Sequence, residues 1–497
     1  MHARPDTRIS DSGHCRNLLA GLPLILCLIL AAVPSISSAG SAYDLEAIVN
    51  RALQANWGTL DAREGVERAG LRLEAAESEF ELRIVPFAAF GLFGGDERGT
   101  DADFNLGVSL EKKTQYGTRL TLAPSIESVD DRYRGRTFLS LTQPLLRGAG
   151  RDYAMSGVFV ARFGERTSMR SQALNEVDTV LGAVSRGYEV VRQREILRLR
   201  RESHQRLSDL AEATAIKERM GLVTAMDLYR VHIQRNQAGE ELLQSRETHV
   251  DALDSLKIFL ALPPEQPIDV HLPLEFDRVR PDEHEMIQTA LANRLELVQA
   301  RETLAMARHL SGTARRDALP ELDVRLFFSQ AGDPSSGFPG AMTDQTTWGI
   351  SIGSATDLRR TARKARYEES LLDIARAARG QYIVRDEVVA QVKREIRNLD
   401  RLDKAMINQE EQVHHSRGQL ELARVKFEHG LADNFDLIDA ETSLRRSQTQ
   451  LVSALIDYIV GQYRLRAVIG TLVHRCAAGV YPRDIGQRSP APPQNPG

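Results

Sequence analysis

Apolar residues along this chain recur with two periods. Val177, Leu181, Val184, Tyr188 and Val191 step by four and three, and Val389, Val392, Ile396 and Leu399 step by three and four. A helix presents such a seam when it packs in a coiled coil, where apolar side chains repeat about every 3.5 residues. Leu444, Leu451, Leu455, Tyr458, Leu465 and Ile469 form a further stripe on one heptad face. No proline interrupts the chain between Tyr153 and Leu262, or between Pro339 and Tyr481. Nothing in either stretch therefore blocks a helix. The segments Asp152–Met220 and Asp357–His429 predict helices of roughly 100 Å at ~1.5 Å per residue. Helices that long in a non-fibrous chain span something.

The second period is two. Phe104, Leu106, Val108 and Leu110 alternate with Asn105, Gly107 and Ser109, and Leu120, Leu122, Leu139 and Leu141 continue the pattern. Later, Val324, Leu326 and Phe328 alternate with Asp323, Arg325 and Phe327, and Trp348, Ile350 and Ile352 with Gly349, Ser351 and Gly353. Alternation of this kind predicts strands with one apolar and one polar or small face. A half-buried sheet packed on a helix satisfies it, and so does a membrane barrel, whose strands need about 9–11 residues. A membrane tolerates no open strand edge, and these strands are too few to close on themselves. The barrel reading therefore demands several chains.

The chain is written twice. Ala52-Leu53-Gln54-Ala55-Asn56 returns as Ala290-Leu291-Ala292-Asn293, and Ala62-Arg63-Glu64 as Ala300-Arg301-Glu302. Lys217-Glu218-Arg219-Met220-Gly221-Leu222 answers Lys426-Phe427-Glu428-His429-Gly430-Leu431, with Asp227 and Asp436 at the same step beyond. Such a period is too long for a solenoid unit and indicates two homologous halves. The expected organisation is a first repeat over 40–262, with strands at about 86–142 and a helical hairpin over 152–262. A proline-rich linker over 263–281 follows. The second repeat spans 282–470, with strands at about 321–353 and a hairpin over 357–470. Residues 471–497, ending in Ser489-Pro490-Ala491-Pro492-Pro493, read as a disordered tail.

Residues 1–39 read as an export signal. Arg4, Arg8 and Arg16 precede an apolar run from Leu18 to Val33, and small residues follow through Ala39. Pro23 and the shortness of the run argue against a membrane anchor, which needs about 20 apolar residues. Removing the signal takes Cys15 and Cys27 with it and leaves Cys476, so no disulfide framework is expected. Composition narrows the class further. The 497 residues are 42% apolar and 27% charged, with net charge −4 and mean hydropathy −0.31. These values exclude a bundle of membrane helices, but not a barrel, whose alternating strands escape hydropathy averages. The near-neutral balance argues against nucleic acid as a partner. The aromatic content of 6% suits long helices packed by Leu, Val and Ala.

Three stretches carry a family resemblance. Leu139-Ser140-Leu141-Thr142-Gln143-Pro144-Leu145-Leu146-Arg147-Gly148-Ala149-Gly150 is similar to the strand-to-helix junction of the TolC-like outer-membrane efflux proteins. Ala290 to Leu297 resembles their first-helix signature, and Lys426 to Leu444 their periplasmic-tip signature. The resemblance runs over roughly residues 43 to 470. It departs at Trp57, where the family usually has Pro, and at Gly353-Ser354-Ala355-Thr356, where a Pro-Leu junction is usual. The fold so implied is mainly α with a small β portion: duplicated coiled-coil hairpins and barrel strands, completed as a homotrimer in outer-membrane lipid. The implied function is an exit duct fed by an inner-membrane transporter and a periplasmic adaptor (membrane fusion) protein.

The resemblance also assigns sites. Asp436 and Asp439 match paired acidic positions that ring the tunnel mouth. Gly221, Leu222 and Val223, with Gly430, Leu431 and Ala432, become adaptor-contact tip turns. Gln143, Pro144, Leu145 and Gly148 form the strand-to-helix junction. The tip turns have a simpler reading as well. Lys217 and Arg219, or Lys426 and His429, suit a helix C-terminus, and the glycine accepts a left-handed cap. Thr224 or Asp433 serves as N-cap, with Asp227 or Asp436 at the third helical position. No nucleotide loop, zinc-protease, CxxC or calcium-loop motif occurs. No enzyme, cofactor or metal site is expected, and His414-His415 reads as a solvated or lumen-facing pair. The competing class is a non-transporting envelope coiled coil or periplasmic scaffold, which explains the helices but leaves the strands without a purpose.

Overall fold

The computed structural model describes residues 41–95, 98–129, 132–332, 345–355, 359–476 and 479–482. The export signal and the chain beyond Pro482 lie outside the described residues.

Each repeat opens on a short helix, α1 (Leu45–Ala55) or α6 (Glu283–Asn293), that breaks into a longer one, α2 (Trp57–Ser78) or α7 (Leu295–Asp317). Asp44 starts α1 by accepting from the Ala47 amide at 2.8 Å, and Asp282 starts α6 by accepting from Glu285 at 2.9 Å. The break falls at Asn56 and Arg294, both with extended backbone. Each of these residues fastens the end of a distant helix. Asn56 Nδ2 donates to the Phe259 carbonyl at 2.9 Å, and Arg294 Nη1 donates to the Val468 carbonyl at 3.0 Å. Carbonyls in a last helical turn have no partner within their own helix, so these bonds satisfy groups that packing would otherwise strand.

The strands follow. The first repeat holds β2 (Leu82–Gly95), β3 (Arg98–Lys113), β4 (Arg119–Val129) and β5 (Arg132–Pro144); the second holds β7 (Asp323–Ala331) and β8 (Gln345–Gly353). They form one antiparallel sheet in the order β2-β3-β4-β5-β7-β8. The strand bounds widen from 86–142 to 82–144 and shift slightly in the second repeat. Residues 104–123 are the facing parts of two full strands.

The long helices come next. The first repeat has a short α3 (Arg151–Ala154), then α4 (Ser156–Arg219) and α5 (Ala225–Phe259); the second has α8 (Thr361–Glu428) and α9 (Asn434–Val468). The 64 and 68 residues of α4 and α8 correspond to about 100 Å each. Val184, Tyr188, Val191, Val392 and Leu399 are buried as their heptad spacing predicts, while Val388, rather than Val389, occupies the seam in α8. The linker is partly ordered, because β6 (Ile268–Val270) pairs in parallel with β1 (Ser41–Tyr43). The expected disordered tail also needs correction at its start. Leu472 is buried in the core, and β9 (Val473–Cys476) pairs with β10 (Gly479–Pro482).

Two cores sit where the short helices meet the long ones. One joins α1, α4, α5 and α9, and the other joins α6, α7, α8 and α9. A small third core of Leu207, Ala211, Val231, Ala238 and Ile438 lies nearer the helix turns. Packing runs α2–α4–α7–α8 on the side of the strands and α5–α4–α9–α8 towards the turns. The chain is therefore a wall four helices wide, with α2 and α5 along one edge and α8 along the other.

Candidate functional site: the wall, the junction and the tip

The sheet has two chemically distinct faces, and its register keeps them separate across every strand. Ile84, Leu110, Leu122, Leu139, Phe328 and Trp348 form one continuous cross-strand row. The row behind it reads Arg83, Glu111, Thr121, Ser140, Phe327 and Gly349. The apolar face is bare in the single chain: Trp348 is 77% exposed and Phe90 71%. The polar face carries Lys113, Arg119, Glu127, Arg134, Arg136, Asp323 and Arg325 as well. Phe327 belongs to this face because it covers a glycine. A Cβ on Gly349 would fall 2.6 Å from its ring, and Phe87 covers Gly107 in the same way. Among the described residues no helix is long and apolar enough to cross a membrane. The apolar surface of membrane height is on the strands.

The junction residues Gln143, Pro144, Leu145 and Gly148 end β5 and turn the chain into α3. The Leu145 amide donates to the Leu322 carbonyl at 2.8 Å, and Arg147 pairs with Glu321, so the ends of β5 and β7 are held together. Gly148 has φ +87° and Gly150 φ +92°, which other residues rarely adopt. Arg316 Nη1 reaches the Ala149 carbonyl at 2.6 Å, and Tyr153 donates to Asp317 at 2.6 Å. Burial and the adjacent Asp317 carboxylate push the Tyr153 hydroxyl up to about 12. In the second repeat β8 ends at Gly353, and Ser354 donates to the Glu321 carbonyl at 2.8 Å in place of a proline turn.

At the other end, the two tip turns share one geometry. Gly221 and Gly430 both have φ +72°. The Leu222 amide donates to the Lys217 carbonyl at 2.9 Å and the Leu431 amide to the Lys426 carbonyl at 2.8 Å, the six-to-one bond of a Schellman turn. Leu222 and Leu431 are exposed, and Val223 and Ala432 are half-buried beside them. The caps then diverge. Thr224 and Asp227 exchange bonds in a complete capping box, and the Thr224 bonds hold the Asp227 carboxyl below its ordinary value. In the second turn Asp433 accepts from both Phe435 and Asp436, so Asp436 contributes its amide to the cap. The Asp436 and Asp439 side chains are exposed. His414 and His415 are exposed too, with ring centroids 5.7 Å apart.

A set of links between the two coiled coils was not apparent from motifs. Lys217 Nζ lies 3.9 Å from the Phe427 ring centroid, and Asn434 donates to Thr214 at 3.4 Å between two buried side chains. Arg206 pairs with Glu441 at 2.7 Å, and Arg200 and Arg445 both reach Glu241. The one sequence mark was Glu441 itself, a carboxylate three residues before Leu444 on an apolar heptad face.

Residues 286–471 match the sequence profile of the outer membrane efflux protein family. The second repeat carries the signature of that family. The fold likeness extends across both repeats. The Campylobacter jejuni outer membrane channel CmeC aligns over 94% of each chain at 14% identity and TM-score 0.66. VceC from Vibrio cholerae aligns over 86% of this chain and 96% of its own, at 14% identity and TM-score 0.67. The open state of MtrE from Neisseria gonorrhoeae aligns over 86% and 88%, at 17% identity and TM-score 0.65. At these identities the likeness establishes the fold. No curated protein matches the chain in sequence. The outer-membrane efflux family is a family of transport channels rather than enzymes, and the two-faced sheet and four-helix wall are the fold that this chain shares with those channels.

Proposed function

We propose that three copies of this efflux protein close into one duct, with the sheet in the outer membrane and the helices in the periplasm. The observation that carries this reading is the coincidence of open edges. The wall ends at α2 and α5 on one side and α8 on the other, and the sheet ends at β2 and β8 on those same two sides. Unlike edges joined head to tail generate a ring when the rotation closes. Closure removes the exposed strand edges, turns the apolar face to lipid and leaves the charged face around water.

The duct receives its cargo from an inner-membrane transporter through a periplasmic adaptor that meets the tip turns at Gly221-Leu222-Val223 and Gly430-Leu431-Ala432. Asp436 and Asp439 from each copy ring the mouth, concentrating negative charge that favours cations and resists anions. Membrane fractionation followed by an unboiled gel tests the duct: a trimeric outer-membrane species is expected, and a soluble monomer refutes it. In planar bilayers, Asp436→Asn with Asp439→Asn raises conductance or removes cation block; unchanged currents would refute the ring. A cysteine at Ala432 cross-links to the adaptor if the tip docks as proposed.

A further inference from the structure

We propose that each copy lends six strands to the barrel, eighteen in a trimer, and that this number matches the barrel to the helical wall beneath it. The inference rests on the trimeric duct proposed above. The second repeat supplies one hairpin, β7–β8, whereas the first supplies two, β2–β3 and β4–β5. The additional pair lies inside the sheet. β3 and β4 run between β2 and β5 with their rows continuous, so Leu106 and Ile126 share the apolar face with Trp348 and Ile352. Asn105, Glu111, Arg119 and Glu127 fall on the charged face. A hairpin hanging in the lumen or lying in the periplasm would turn Leu106 and Ile126 into water.

The turn joining β3 to β4 is seated where the barrel meets the wall. The Thr114 amide donates to the Thr118 carbonyl at 2.8 Å, and Thr118 Oγ1 lies 2.5 Å from Gln143 Oε1. The Gly150 amide donates to the Tyr116 carbonyl at 3.2 Å. Gly117 has φ +92°, and a Cβ there would fall 2.6 Å from the Gly148 carbonyl oxygen. The inserted strands therefore rest on the same junction that launches α4. Six is also an even number, so β2 and β8 run antiparallel to one another. The β2 edge of one copy meets the β8 edge of the next without breaking the alternation.

Ring sizes support the count. Four helices per copy at interaxial spacings of about 10 Å give a twelve-helix ring roughly 120 Å around. Strands spaced about 4.8 Å apart cover that circumference with eighteen members at a tilt of about 44°, within the usual range of roughly 35–45°. Eighteen thus give a membrane bore as wide as the tunnel, roughly 38 Å between backbones. The barrel then sets no size limit on cargo, and selection by size falls to the tip.

Cryo-electron microscopy of the full-length protein in lipid nanodiscs reads the strand number directly, with eighteen expected. A trimer whose membrane barrel has twelve strands, with residues 98–129 elsewhere, would overturn this inference and leave the duct standing. Failure to find any membrane-inserted trimer would overturn the duct reading instead. Thiol labelling supplies a second measurement, on a Cys476→Ser background. The Asn105→Cys thiol is expected to react with a membrane-impermeant maleimide through the lumen. The Leu106→Cys thiol, facing lipid, is expected to lose that labelling, and equal labelling of the two would refute the strand placement.

Discussion

Asn56 and Arg294 hold corresponding positions in the two repeats and perform one task with different chemistry. Each sits at a helix break and donates to the carbonyl of the last residue of a returning helix, Phe259 or Val468. Arg294 adds an ion pair with Glu296 at 2.8 Å and a bond to Gln391 at 3.0 Å, and its side chain is only 14% exposed. Charged hydrogen bonds contribute about 1.5–3 kcal/mol and neutral ones about 1 kcal/mol. Arg294→Ala is therefore expected to lower stability by about 1.5–3 kcal/mol and Asn56→Ala by about 1 kcal/mol. Thermal unfolding followed by circular dichroism checks this, and equal losses at the two positions would contradict the assignment. No proline is required at Trp57 to begin α2, because Asn56 leaves the helical conformation and accepts from the Gly58 amide at 3.0 Å.

Between elements, the seam joining α4 to α7 carries a titratable contact. The His309 ring stacks on Phe159 with centroids 4.0 Å apart, and its Nε2 lies 3.3 Å from Ser156 Oγ. Burial holds His309 below its ordinary value of 6.5, with Asp152 pulling weakly the other way. The unfolded chain then takes up the proton first, so the stabilisation is complete above pH 6.5 and declines as pH falls below it. His309→Phe is expected to flatten that part of the melting-temperature profile between about pH 5 and 7. A second inter-element contact, Arg206 with Glu441, ties α4 to α9 near the tip, and the Glu441 side chain is only 7% exposed. Glu441→Ala leaves the guanidinium only Glu202 of its own helix, at 3.9 Å, and so cuts the tie to α9; the expected result is a tip that opens more often in single-channel recordings. A variant with wild-type gating would show that the link is incidental.

How much of this was legible depended on the range of the interaction. Heptad seams and glycine turns are local patterns: the seams are buried as their spacing predicts, with Val388 in place of Val389, and Gly221 and Gly430 take the left-handed turn conformation. β2 escaped full recognition because its lumen-facing positions, Val85, Phe87, Ala89 and Gly91, are not polar, so Leu82–Gly95 shows little alternation. Phe87 is there to cover Gly107, a cross-strand requirement that one strand's sequence does not display. The pairing of Arg206 with Glu441 crosses from one repeat to the other, and no spacing rule reaches that far. Likewise the proline-rich end of the tail gives no sign of its start, where Leu472 finds the core once the two repeats have packed.

At the scale of the whole molecule, the exposed apolar residues of α5 follow an order that a solitary chain does not explain. Met226, Tyr229, Ile233, Leu243 and Val250 keep heptad spacing along a helix whose inner face is already packed on α4, and all five are exposed. The opposite edge, α8, exposes Leu372, Tyr382, Ile383, Leu422 and Val425. Apolar side chains left bare on both edges of one wall are covered together only between copies, head to tail, as ring closure requires. This separates folding from assembly. Ile233→Asp with Leu243→Asp changes residues that are solvent-exposed within the protomer, so the helical circular dichroism is expected to remain unchanged. In the assembled ring the same carboxylates would be buried against α8 of the neighbour, at a desolvation cost of several kcal/mol per charge. The expected outcome is a folded protomer that no longer forms the trimeric band on an unboiled gel or the trimer mass in detergent. Retention of the trimer would place the subunit contact elsewhere on the wall. Loss of helicity together with the trimer would mean that the protomer does not hold its fold outside the ring.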